Sequence, residues 1–169
     1  MSHGTILGFD FGTRRIGVAV GQTLTGSTRP LTTLRADKAQ ADWAAIGLLI
    51  KEWQPAQLVV GLPVNMDGSE HELAATVRAF AEELRRRYAL PVHLIDERLS
   101  SHEAQRLALT PSPSRRERGS RSKELNNIAV GMGGGRGAPY SRAAKEEVDR
   151  IAAQVILETW LSQQNRGKR

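Results

Sequence analysis

The stretch Thr5-Ile6-Leu7-Gly8-Phe9-Asp10-Phe11-Gly12-Thr13-Arg14-Arg15-Ile16-Gly17-Val18-Ala19-Val20 constrains the fold more than any other part of the chain. It reads as strand, turn, strand. Ile6, Leu7 and Phe9 carry β-propensity, and Ile16, Val18 and Val20 alternate with small residues. Gly12, Thr13, Arg14 and Arg15 between the two runs suit a hairpin connection. Asp10 then falls at the end of a predicted core strand, beside a glycine turn. A carboxylate buried there has to be paired or hold a metal ion; one at the surface can cap the turn through its own side chain. On this stretch alone both readings stand.

The remaining pattern places the hairpin in an α/β domain. Residues 26–34, with Pro30, read as a turn and a third strand at a sheet edge or at its own first residues. Residues 41–53 have helical apolar spacing (Trp43, Ile46, Leu49, Ile50, Trp53), with Asp42 in the first turn or as the N-cap and Gln54-Pro55 as the stop. Leu58-Val59-Val60-Gly61-Leu62 is a continuous apolar run, as in a strand covered on both faces. Residues 63–69 form a loop. Residues 70–88 form the longest helical pattern, with Leu73, Val77, Phe80, Ala81 and Leu84 on one face. Arg85-Arg86-Arg87 in its last turns complement the helix dipole. Residues 91–95 are the next strand, and a short helix from Ser100 or Ser101 to about 109 follows. Val148, Ile151, Ala152, Val155, Ile156, Leu157 and Trp160 mark an amphipathic helix beginning near Ala143. The expected architecture is one domain: a mixed five-stranded sheet, three N-terminal strands antiparallel, flanked by helices on both faces.

Between these elements, residues 110–142 change in character. Residues 110–123 are Pro, Ser and Arg with almost no apolar residue, residues 132–139 are rich in glycine, and the segment is expected to be a disordered basic insertion. Net charge is +6, and residues 111–142 alone carry seven basic and two acidic side chains. A basic segment of this kind suits a polyanion, and equally a solvated, solubilising face. The chain has no cysteine, which excludes disulfides and thiolate metal sites. No apolar run spans a bilayer and no signal peptide is recognisable, so a cytoplasmic location without membrane contact is expected.

Two further acids resemble Asp10 in placement. Glu97 follows directly on a predicted buried strand, and Asp149 lies one residue off the apolar stripe of the last helix. Parallel strands of an α/β sheet deliver their C-terminal ends to one crevice, which would bring Asp10 and Glu97 together, with Asp149 reaching in from a helix across that edge. Three carboxylates without thiolates or a paired-histidine motif favour Mg²⁺ or Mn²⁺. Such ions serve phosphodiester displacement. Thr13, Arg14, Asn65 and Gly68 are candidate substrate contacts, although turn chemistry alone also calls for such residues. His93 reads as a strand residue, His71 and His102 as exposed, and the tryptophans as core.

The runs from Phe9 to Ala19, Val60 to Ser69 and Asp96 to Ser101, together with Val148-Asp149-Arg150-Ile151-Ala152-Ala153, resemble the YqgF family of Holliday-junction-resolvase-like proteins assigned to pre-16S rRNA cleavage. The resemblance implies a ribonuclease-H-like fold, a cytoplasmic nuclease that matures the 5′ end of 16S rRNA on a precursor or ribosomal particle, and an acidic site at Asp10, Glu97 and Asp149. Two departures are visible. The connection through residues 110–142 is longer than the family pattern, and Glu146-Glu147 stand where lysines precede the third acid. Three rivals remain. One is a resolvase of DNA junctions. Another is a non-catalytic nucleic-acid-binding assembly factor. The third is an ATP-handling domain, since Asp10-Phe11-Gly12-Thr13 also resembles the phosphate loop of the actin and sugar-kinase group, but the chain has no second such turn.

Overall fold

A computed structural model describes residues 4–65, 67–96 and 141–167. The first hairpin forms as expected, from β1 (Thr5–Phe11) and β2 (Arg15–Gln22), followed by β3 (Thr28–Asp37). A two-residue strand β4 (Gln40–Ala41) pairs with the end of β3, so the sheet has six strands rather than the expected five. Then come α1 (Trp43–Trp53), β5 (Gln57–Leu62), α2 (Ala74–Tyr88), β6 (Val92–Asp96) and α3 (Arg142–Arg166). The sheet order is β4-β3-β2-β1-β5-β6. β1, β2 and β3 run antiparallel, and β1, β5 and β6 run parallel. This mixed sheet, with helices on both faces, is the ribonuclease-H-like arrangement.

Strand alternation sorts the side chains. Leu7, Phe9 and Phe11 of β1, Ile16, Val18 and Val20 of β2, and Leu58 and Val60 of β5 pack against Ile46 of α1 and Val77, Phe80, Ala81 and Leu84 of α2. Phe80 meets Phe9 edge-on at 5.9 Å between ring centroids. On the other face, Ile6, Ala19, Val59 and Ile95 pack against Ala153, Ile156, Leu157, Trp160 and Leu161 of α3. Fully burying one such side chain contributes ~2 kcal/mol, so α3 is held to the sheet by its C-terminal half.

Local signals explain the element bounds. Asp42 caps α1, its side chain accepting from Ala45 N at 3.0 Å, and β4 occupies the two positions before it. The helix expected from residue 70 starts at Ala74, because Glu70 bridges to Val64 and His71 Nδ1 accepts from Leu73 N. Pro30 lies inside β3, opposite Ala19 where the β2–β3 register shifts. β4 covers only Ala36 and Asp37, so among the described residues the outer side of β3 at Pro30 is a sheet edge, where proline is tolerated. Ser141 caps α3, accepting from Ala144 N at 3.2 Å. Val148, expected on the apolar stripe, is exposed, while Ala153 and Leu161 join the core. The short helix after Ser100 and the insertion at 110–142 lie outside the described residues, apart from Ser141 and Arg142.

Candidate active site

Asp10 is the penultimate residue of β1, at the sheet edge where β5 and β6 also end. Its face follows from its neighbours. A Cβ on Gly8, two residues earlier, would stand 2.5 Å from Leu157 Cγ of α3. Asp10 therefore points to the α3 side of the sheet, away from the core that holds Phe9 and Phe11, and is half-buried there.

The next strand, β2, seats the helix that carries Asp149. Asp10 pairs with Gly17, and Gly17 with Thr33, in one transverse row across β1, β2 and β3. α3 is laid directly on this row. A Cβ on Gly17 would fall 1.9 Å from the Asp149 carbonyl oxygen, an approach only glycine permits. Thr33 Oγ1 donates to the Glu146 carbonyl at 2.8 Å, one helical turn before. Paired residues in an antiparallel ladder have Cα atoms about 5 Å apart, so Asp10 and the Asp149 backbone are both neighbours of the same glycine. Arg15 Nε donates to Asp149 Oδ2 at 2.5 Å, with both side chains partly exposed. Asp149 is the eighth residue of α3. The helix-dipole explanation for an acid acts within the first turn and does not reach it.

The other sequence candidates separate. Thr13 and Arg14 are exposed at the hairpin tip. Their carbonyls accept from Ala39 N and Ala36 N, both at 2.9 Å, which ties the tip to β3. Asn65 and Gly68 lie after β5 on the same sheet edge as Asp10, in a self-contained turn. Asn65 Nδ2 donates to Ser69 Oγ and to the Glu70 carbonyl, and Gly68 N donates to the Asn65 carbonyl with φ at 85°. Hydrogen bonds from Ser69 hold the Asp67 carboxyl below its usual range. Glu97 lies outside the described residues; Asp96, immediately before it, ends β6. His93 packs on Trp160 and hydrogen-bonds Gln57 at 2.8 Å, His71 is exposed, and His102 lies outside the described residues. Trp160 is core, and Trp43 and Trp53 pack against the opposite core. Sequence reasoning missed Gly17 and Arg35, which faces Arg15 across the β2–β3 ladder. The one signal for Gly17 was a glycine inside a strand, which can mark close backbone approach.

Comparison with known proteins gives this geometry a lineage. The family described as "RuvX: Holliday junction resolvase" matches residues 4–130. The chain belongs to this family, a family of nucleases, in agreement with the YqgF resemblance. It is 44% identical over 157 residues to a protein of Dechloromonas aromatica, covering 93% of this chain and 90% of that one. It is also 44% identical over 163 residues to one of Legionella pneumophila, covering 96% and 99%. Both relatives bear the name "Putative pre-16S rRNA nuclease". Among solved structures, Thermus thermophilus RuvC in complex with Holliday junction substrate aligns over 96% of each chain, at 16% identity and a TM-score of 0.49.

Proposed function

We propose that this chain is a metal-dependent endonuclease that processes the 5′ end of precursor 16S rRNA in the cytoplasm. The observation that carries the reading is the convergence of Asp10 and Asp149 on Gly17, from the first strand and the last helix, at the C-terminal edge of the parallel strands. The relatives' name supports the rRNA substrate.

The donor chemistry fits a hard cation. Asp10, Asp149 and Glu97 would offer carboxylate oxygens to Mg²⁺ or Mn²⁺, and the chain has no sulfur ligand stronger than methionine. Among the described residues, no three acid or imidazole side chains group as a metal site, so Glu97 is needed to complete the set. When bound, such an ion polarises phosphoryl oxygens. The chain's own part is to hold two carboxylates on one rigid face and to supply positive charge beside them. Arg15 orients Asp149 through a charge-assisted hydrogen bond. Arg14 and Thr13 at the hairpin tip would meet substrate phosphate, and Asn65 and Gly68 would shape the opposite wall.

The test is cleavage of a 5′-extended 16S rRNA fragment, with Mg²⁺, Mn²⁺ or EDTA, by the protein and by Asp10→Asn. Metal-dependent cutting that vanishes in the variant supports the reading; cutting that persists in Asp10→Asn or in EDTA overturns it. The family description favours a second substrate, a four-way DNA junction. Cleavage of the junction alone would move the assignment to a resolvase.

A further inference from the structure

Beside the acidic row lies a basic cleft. The row Asp10–Gly17–Thr33 is followed, two residues along the ladder, by the pair Arg15–Arg35, about 7 Å away at the rise of an extended strand. Like charges directly opposite on one sheet face destabilise a ladder. This pair cannot spread, because the bonds from Ala36 N and Ala39 N to the hairpin tip clamp β3 against it. The α3 N-terminus adds Arg142. A cleft of about 300 Å³ results, lined by Arg14, Arg15, Thr33, Arg35, Arg142 and Glu146 among others. Two acids beside it are engaged: Arg15 holds Asp149, and Arg142 Nε holds Glu146 at 2.9 Å. Arg14 and Arg35 have no side-chain partner among the described residues. Two exposed guanidiniums with matching planar donors, converging on one concavity, suit a phosphate.

We infer that this cleft binds a backbone phosphate of the nucleic-acid strand next to the bond being cut, with Arg35, Arg14 and Arg142 as its donors. The inference rests on the nuclease reading above and adds to it where the strand runs: from the acidic row over the β2–β3 end towards the start of α3. Phosphate contacts set register without reading sequence, so the cleft fixes which phosphodiester reaches the acids.

The experiment measures binding of a fluorescein-labelled single-stranded RNA by anisotropy, in EDTA, across a KCl series. The proteins are the full chain, Arg35→Glu and Lys51→Glu. Lys51 lies on α1, which packs on the opposite face of the sheet, and its substitution changes net charge equally. Arg35→Glu is expected to weaken binding about tenfold and to flatten the slope of log K against log salt by about 0.7, one phosphate contact to a single strand. Lys51→Glu keeps the slope of the parent. Equal losses in both variants, or none in Arg35→Glu, overturn the cleft. Arg35→Gln removes the charge without adding any, and decides the same question should the glutamate fail to fold. Because binding is read without metal, its outcome is separate from cleavage. Arg35-dependent binding by a chain that cuts nothing would sink the nuclease reading and leave the phosphate site. Asp10-dependent cutting with Arg35-independent binding would do the reverse.

Discussion

The carbonyl oxygen of Asp149 covers Gly17 so closely that a Cβ there would stand 1.9 Å from it. Backbone meets backbone at this contact, so no rotamer change relieves it. Gly17→Ala must lift α3 from β2 and carry Asp149 away from Asp10. Overpacking costs up to ~3 kcal/mol where backbone has to move, a fall in Tm of roughly 6–12 °C for a chain of this size. Thermal unfolding checks it. Unchanged melting with full cleavage would show that the helix tolerates displacement.

Gly8 makes the instructive contrast. Its hypothetical Cβ meets the side chain of Leu157 at 2.5 Å, with the Ala153 carbonyl at 3.1 Å. Gly8→Ala is expected to destabilise, and Leu157→Ala introduced beside it to recover part of the loss despite the methyl groups it removes. A double-mutant cycle reads the coupling. Purely additive losses would mean that Leu157 is not the obstacle.

Asp149→Asn separates folding from chemistry. The pair with Arg15 is partly exposed, at 33% and 22% for the two side chains, so solvent screening limits its contribution to about 1 kcal/mol or less. The variant should melt within a few degrees of the parent and lose cleavage by orders of magnitude. Retained cleavage would remove Asp149 from the site.

His93 makes stability depend on pH. Burial lowers its pKa below 6.5, and the nearby Arg85 charge lowers it further. The unfolded chain therefore binds the proton more readily than the folded one. Stability from this group is whole above pH 6.5 and declines as pH falls through that value towards the lower folded pKa. Tm should drop between pH 7.5 and 5.5, and His93→Asn should flatten that part of the profile. An identical slope in the variant would assign the dependence to other groups.

Asp42→Ala probes a region remote from the acids. It removes the cap bond to Ala45 N and is expected to cost ~1 kcal/mol with cleavage unchanged, because α1 lies on the other face of the sheet. A loss of activity at unaltered stability would contradict that separation.

What could be read from the chain alone divides along the range of the interactions. Asp10 at a strand end, Asp42 as a cap and the continuous burial of residues 58–60 follow from local propensity and period. The start of α2 is four residues later than its apolar pattern implies, because a bridge between Val64 and Glu70 takes those positions into a turn. Strand β4 has only two residues and no period of its own. The Arg15–Arg35 pairing and the seating of Asp149 on Gly17 depend on ladder register and helix docking across the chain. No window of sequence contains both partners.

The same distance has a consequence in time. Arg15 reaches across 134 positions to hold Asp149, and Asp10 lies still earlier. A ribosome adding 5–20 residues per second takes roughly 7–27 s to cover that span. Throughout that interval the seat at Gly17 stays unfilled and Asp149 is missing from beside Asp10. On the proposed site, the nascent chain gains Asp149, and with it the full set of acids, only when α3 closes over the sheet.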